Sequence, residues 1–261
     1  MNPAALHVED LTIHFGGIHA LQGVSFYVKE EQIVGLIGPN GAGKTTVFNL
    51  LTGVYQPDKG DIFLQNKSLL KKKTYQRCQM GVARTFQNIR LFKDLSVADN
   101  IKVAMTHQFR YPLLSGIVRG RGYRRGERSA SEQVDQLLEI MGLEDSARLM
   151  ARQLPYGQQR KLEIARALAA KPKVLLLDEP AAGMNPSETE ELKDMIRMIR
   201  DRLSISVLLI EHDMNVVMDL CEFIFVLDYG RIIARGTSDK IQNDAKVIEA
   251  YLGGELNGDY A

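Results

Sequence analysis

The residues Gly38-Pro39-Asn40-Gly41-Ala42-Gly43-Lys44-Thr45 follow the spacing G-x-x-x-x-G-K-[ST], and their types suit one task, the holding of phosphate. Glycine lets the backbone turn tightly, so that the loop N–H groups, with those of Lys44, Thr45 and Thr46, converge on phosphate oxygens at the positive end of a helix dipole. Lys44 adds a full charge, worth about 4 kcal/mol at contact distance and an effective dielectric of about 20. Thr45 offers a hydroxyl to Mg²⁺. A second concentration of chemistry is Val174-Leu175-Leu176-Leu177-Asp178-Glu179-Pro180, an apolar run that ends in two carboxylates. Asp178 can reach a metal through water, whereas Glu179, one residue on, points differently and is placed to orient and polarise an attacking water. A carboxylate pair after an apolar strand is common. Beside a phosphate loop it becomes functional.

These groups need elements to aim them. Ile33-Val34-Gly35-Leu36-Ile37 is nearly all apolar, as expected of a strand covered on both faces, and runs straight into the glycine loop. Thr46 to Leu51 then reads as a helix, ended by Gly53. Upstream, Leu6 to Phe15 and Val24, Phe26 and Val28 alternate, which predicts a small antiparallel opening sheet. Ala98 to Met105, Ser131 to Met141 and Gln158 to Ala170 show helical spacing and predict a helical insert, with the Arg- and Gly-rich stretch Phe109 to Arg128 as a solvated loop between its first two helices. Short apolar strands return at Val174 to Leu177, Val207 to Ile210 and Phe223 to Leu227, separated by helix-like stretches, which argues for a largely parallel α/β sheet. Tyr229-Gly230 predicts a closing hairpin.

Composition sets the outer limits. The chain has 261 residues, 33 Lys+Arg against 32 Asp+Glu, and 45% hydrophobic residues, which excludes disordered, collagenous and disulfide-scaffold classes. A formal net charge of +1 lacks the basic excess that nucleic-acid binding normally leaves. Cys78 and Cys221 are far apart and fit a reducing compartment. The first fifteen or so residues lack the basic start and apolar core of a signal peptide, and no run reaches the roughly 18 to 20 apolar residues that span a bilayer. The expectation is a cytosolic chain that meets a membrane only through partners.

With these motifs in place, the sequence resembles the ATP-binding subunits of ABC transporters from about Leu6 to Gly253. The fold implied is an α/β P-loop NTPase (RecA-like) core with an N-terminal antiparallel β subdomain and an inserted α-helical subdomain at about 88–168, followed by a tail at 254–261. The resemblance gives Gln87, in Arg84-Thr85-Phe86-Gln87, the place of the glutamine that touches Mg²⁺ or water near the transmembrane subunits. It gives His212 the place of the histidine that contacts the γ-phosphate, and Phe15 that of the aromatic that stacks on adenine. Metal contacts would come from Thr45, Gln87 and Asp178. Leu154-Pro155-Tyr156-Gly157-Gln158 stands where most of the family has L-S-G-G-Q, the signature presented across a dimer interface to the partner's nucleotide. Pro155 supplies neither a serine hydroxyl nor a backbone N–H, which implies a weakened half-site and an asymmetric dimer. Asn185 replaces the usual aspartate of the loop after Glu179.

The stretch Leu154 to Leu168, together with Gly81 to Gln87, Glu179 to Pro186, Ile210 to Met214 and the ending Ile248-Glu249-Ala250-Tyr251-Leu252-Gly253, narrows the resemblance to the LivG-type subunits of branched-chain amino acid importers. That implies ATP and Mg²⁺ as cofactors and a second ATP-binding subunit (LivF-like) or a second copy as dimer partner. It also implies two transmembrane permease subunits, an indirect solute-binding protein, and a place on the cytoplasmic face of the inner membrane. Other cargoes, such as urea, short amides or lipid, and a soluble assembly ATPase are the alternatives from sequence.

Overall fold

Alternating burial sets the first layer: Leu6, Val8, Leu11 and Ile13 on strand β1 (Ala4–Phe15) face inward with Leu21, Val24, Phe26 and Val28 on the antiparallel β2 (Ile18–Lys29). The computed structural model describes residues 4–105 and 121–256. Strand β3 (Ile33–Ile37) is buried at every position and leads through the glycine loop into helix α1 (Lys44–Thr52). Gly53 ends that helix in the left-handed conformation, φ 79°. Strands β4 (Lys59–Leu64) and β5 (Lys67–Ser68) complete a four-stranded antiparallel sheet in the order β2-β1-β4-β5.

Helix α2 (Thr74–Met80) and strand β6 (Val82–Arg84) come next. Neither is predicted by hydrophobic spacing, since one is two turns of mostly polar residues and the other three residues long. Arg77 of α2 is fully buried, and its guanidinium donates to the carbonyls of Leu50, Leu51 (3.1 Å) and Lys72 (3.1 Å). It thereby satisfies the C-terminal end of the helix whose N-terminus carries the phosphate loop.

The helical insert is built from α3 (Val97–Ala104), α4 (Arg121–Met141) and α5 (Tyr156–Leu168). Here the sequence reading needs correction. Residues 121–128 belong to α4 and are not a loop; residues 106–120 lie outside the described part of the chain. The helix continues N-terminal of its apolar stripe because ion pairs support it, Arg128–Glu132 at i,i+4 (3.1 Å) and Lys102 of α3 to Glu127 (2.6 Å). Ala130, Val134, Leu137, Leu138 and Met141 bury its other face.

The chain then returns to the main sheet through β7 (Val174–Asp178), α6 (Pro186–Leu203), β8 (Ser206–Ile210) and α7 (Met214–Leu220). Strands β9 (Phe223–Asp228) and β10 (Arg231–Gly236), joined at Tyr229-Gly230, form the predicted hairpin. Helices α8 (Ser238–Gln242) and α9 (Ala245–Leu256) follow. The six-stranded sheet runs β10-β9-β3-β8-β7-β6, parallel except for β10. This order puts β3 and β7, the two strands that deliver the phosphate loop and the carboxylates, on either side of β8 with their C-terminal ends together, where ligands of open parallel sheets bind. Among the described residues no helix is long and apolar enough to cross a membrane.

The hairpin also backs the phosphate loop. Gly230 N–H donates to Ala42 O at 3.0 Å, and a Cβ on Gly38 (φ 152°) would lie 1.9 Å from Leu227 O. Around Gly41 (φ 80°) there is open space. Two alanine substitutions in one loop should therefore differ sharply. Gly41→Ala meets only the backbone cost of a left-handed residue, about 1–2 kcal/mol, whereas Gly38→Ala must also displace the β9 backbone. Thermal unfolding of both variants should place Gly38→Ala well below Gly41→Ala, and equal midpoints would contradict this packing.

Candidate active site

Helix α1 begins at Gly43, itself left-handed at φ 108°, with no side chain capping it and no acidic residue in its first turn. Its leading N–H groups are therefore aimed at the loop concavity, with the helix dipole behind them. Lys44 is buried, and its ammonium donates to Gly38 O at 2.6 Å and Pro39 O at 2.8 Å. Burial lowers its pKa, while the charges of Glu179 and Asp178 oppose that shift. Thr45 is exposed beside it.

The two carboxylates at the end of β7 part company, as expected. Asp178 is buried and ion-paired with Arg84 of β6 at 2.6 Å, and Arg84 also donates to Asn49 of α1 at 2.8 Å. Arg84 thus ties the carboxylate strand to the phosphate-loop helix. Its guanidinium lies 5.3 Å from the rings of both Phe48 and Phe86. Glu179 adopts φ 48° and its N–H bonds Ile210 O at 2.9 Å, which turns its side chain away from Asp178. One of its carboxylate oxygens accepts from Gln87 Nε2 at 2.6 Å, and the other meets His212 Nε2. Three residues singled out separately in the sequence, Gln87, Glu179 and His212, therefore form one connected group.

His212 follows Glu211, a buried carboxylate that accepts from Ala181 N–H at 2.7 Å and His212 N–H at 3.1 Å. Burial raises the Glu211 pKa despite these backbone donors. The residue joins the loop after Glu179 to the loop that carries His212, a role that sequence reasoning missed. Arg160 and Glu163 were missed as well. They are buried and ion-paired at 2.9 Å on α5, three residues apart on a face that otherwise packs inward. Two opposite charges at i,i+3 on a buried stripe are the signal that could have found them.

The signature segment divides in the structure. Leu154 is buried, while Tyr156 is exposed and donates its hydroxyl to Ala182 O at 3.0 Å. Pro155 stands at the N-cap of α5 without a side-chain cap. Gly157 faces Glu188, whose Oε1 would lie 2.8 Å from an added Cβ. Gln158 and Ser146 approach at 3.5 Å. Asn185 caps α6: its Oδ1 accepts from Glu188 N–H, its own N–H donates to the Glu188 carboxylate, both at 3.0 Å, and Pro186 follows at N1. Asparagine caps as well as aspartate, so this departure keeps the helix start intact. Phe15 is 42% exposed and packs edge-on against Tyr55 with ring centroids 5.0 Å apart.

Comparison with known proteins accords with this geometry. Residues 21–182 match the ABC transporter family, and residues 231–256 match the branched-chain amino acid ATP-binding cassette transporter family. The chain is 46% identical over 253 residues to the high-affinity branched-chain amino acid transport ATP-binding protein BraF of Pseudomonas aeruginosa, covering 97% of this chain and 99% of that protein. It is 44% identical over the same span to LivG of Escherichia coli, with the same coverage of both. It is 33% identical to the lipopolysaccharide export system ATP-binding protein LptB of Haemophilus influenzae, over 95% of this chain and 97% of that one. Among solved structures, the ADP conformation of MJ1267, an ATP-binding cassette of an ABC transporter, superposes with a TM-score of 0.84 at 29% identity, covering 97% of this chain and all of that one. On this near full-length identity and the match over residues 21–182, the chain belongs to the ABC transporter family of ATP-binding cassettes.

Proposed function

We propose that the chain is the ATP-binding and ATP-hydrolysing subunit of an importer for branched-chain or other hydrophobic amino acids, with residues 6–253 as its nucleotide-binding domain, residues 88–168 as the helical subdomain and residues 254–261 as a tail. The observation that carries the enzymatic part is the gathering of Gln87, Glu179 and His212 around one carboxylate beside the Lys44 loop. The cargo rests on near full-length identity to the BraF and LivG transport proteins and on the family match at residues 231–256. That second match favours amino acids over the lipopolysaccharide cargo of the more distant LptB.

In this reading, the N–H groups of the loop glycines, Lys44, Thr45 and Thr46 and the Lys44 ammonium hold the triphosphate of ATP, with Pro39, Asn40, Gly41, Ala42 and Gly43 shaping the loop. Phe15 stacks on the base. Burial lowers the Lys44 pKa and the nearby charges of Glu179 and Asp178 oppose that shift; on binding, Lys44 exchanges its two carbonyl partners for phosphate oxygens. The hydroxyl of Thr45, the carboxylate of Asp178 and the amide oxygen of Gln87 are hard oxygen donors of the kind Mg²⁺ takes. Bound there, the ion would offset charge between the β- and γ-phosphates.

Gln87 and His212 each take one lone pair of the Glu179 carboxylate and leave others for a water, so both side chains aim the base as well as serve the phosphate. Leu154 through Gln158 present the signature region to the nucleotide of a second ATP-binding subunit, LivF-like or a second copy. A groove of 420 Å³ lined by Arg84, Phe86, Arg90, Phe92, Glu163 and Arg166 lies next to the Gln87 loop. It is where closure would be passed to two permease subunits at the cytoplasmic face of the membrane, for substrate delivered by a solute-binding protein.

Two substitutions test the roles. Glu179→Gln should leave MgATP affinity within about threefold of wild type and cut hydrolysis by the assembled complex by 100-fold or more, roughly 3 kcal/mol of barrier; near-normal turnover would remove Glu179 from its place. Pro155→Ser should restore a phosphate contact to the partner's site and raise hydrolysis there, read by trapping nucleotide separately at each site. If both sites turned over as before, the weakened half-site would be ruled out.

A further inference from the structure

Arg160 makes an unusual set of contacts for a surface-derived residue type: it is fully buried, and its two terminal nitrogens each serve the Gln87 loop. Nη1 donates to Phe86 O at 2.8 Å and to the Glu163 carboxylate at 2.9 Å, and Nη2 donates to Gln87 O at 3.0 Å. Glu163 takes the complementary groups, accepting from Phe86 N–H at 3.3 Å and Arg90 N–H at 3.4 Å. Both the N–H and the C=O of Phe86, and the C=O of Gln87, are thus held by one ion pair on α5. Nη2 also reaches Glu179 O at 3.4 Å and the Tyr156 hydroxyl at 3.5 Å.

Nothing about stability alone requires such an arrangement. A buried ion pair loses hydration that its mutual attraction only about recovers, and an apolar pair of similar volume is often as stable or more so. What an ion pair supplies that an apolar pair cannot is directional grip on backbone amides. Here the gripped backbone is that of Gln87, whose side chain donates to the Glu179 carboxylate at 2.6 Å. The gripping helix begins at Tyr156 in the signature segment, which itself bonds Ala182 O in the loop after Glu179.

We infer that Arg160 and Glu163 are positioning residues that make the signature helix and the Gln87 loop one rigid body, so that movement of the signature region sets whether Gln87 holds or releases Glu179. This rests on the ATPase reading above and adds its regulation: a signal arriving at α5 from the dimer partner, or at the Gln87 loop from the membrane subunits, reaches the hydrolytic carboxylate through the same clasp.

The test is the double substitution Arg160→Met with Glu163→Met in the assembled complex, measured for thermal stability, MgATP affinity and ATPase rate with and without the loaded solute-binding protein. The expected result is a melting temperature within a few degrees of wild type, MgATP affinity within threefold, a kcat at least tenfold lower and loss of stimulation by the binding protein. A folded double variant with wild-type kcat and stimulation would overturn the inference. Should the double variant fail to fold, Arg160→Lys serves, because a point charge cannot span Phe86 O and Gln87 O together. It should lower kcat at least threefold at unchanged KM, and unchanged kcat would again overturn the inference. Glu179→Gln measured alongside separates the two levels: wild-type hydrolysis in that variant would fault the ATPase reading, whereas its loss together with an unaffected Arg160 variant would fault the clasp alone.

Discussion

Glu179 is a carboxylate with both oxygens taken, one by an amide from the Gln87 loop and the other by the imidazole of His212. Most of the catalytic edge can be understood as what it takes to hold that side chain there. The turn into φ 48° at Glu179 aims it away from Asp178. Buried Glu211 ties the loop after Glu179 to the His212 backbone, and Arg160 ties the Gln87 backbone to α5. Together these contacts fix the carboxylate relative to the Lys44 loop, which sits one strand beyond β8 in the same parallel sheet. A base must be close to its water and free to act on it. In the proposed mechanism a base held from both sides is aimed at its water, and a change in that grip is the point of control.

Buried guanidinium groups recur as the means of joining elements. Arg77 closes the C-terminal end of α1, Arg84 joins α1 to β7 through Asn49 and Asp178, and Arg160 joins α5 to the Gln87 loop. Each reaches backbone carbonyls or a carboxylate with several N–H groups at once, the geometry in which arginine outperforms lysine. In each of the three one buried nitrogen has no partner among the described residues, Nη2 of Arg77, Nε of Arg84 and Nε of Arg160, which adds to the desolvation these residues bear. Their cost makes sense if the joints must hold in direction as well as in strength. They connect the phosphate loop, the carboxylate strand and the signature helix, the three parts that the proposed cycle of closing and opening requires to stay aligned.

Much of this was legible in the residues. The apolar run Ile33–Ile37 before a glycine loop, and Val174–Leu177 before two carboxylates, carry strand, turn and chemistry in a few consecutive positions, so local sequence suffices. The hairpin at Tyr229-Gly230 was equally local. What could not be read were long-range joints. Arg84 meets Asp178 across two neighbouring strands, and Gln87 meets Glu179 only once β6 pairs with β7. Helix α2 is too polar and strand β6 too short for periodicity to reveal them. The Arg-rich residues 121–128 look like a solvated loop by composition, yet they continue α4 because Lys102 and Glu132 supply charges that composition alone does not locate. Asn185 looks like a departure from the family and turns out to cap α6 as aspartate would.

In the proposed mechanism Gln87 and His212 act on the same carboxylate, and a double-mutant cycle on the ATPase rate of the assembled complex tests that sharing most directly. Gln87→Ala, His212→Ala and the double variant should be strongly non-additive, with a coupling energy of about 1 kcal/mol or more, because each single change already frees Glu179 from its fixed position. Rates that multiply, with coupling below about 0.5 kcal/mol, would mean that the two side chains serve separate steps and that the shared grip on Glu179 plays no part in turnover.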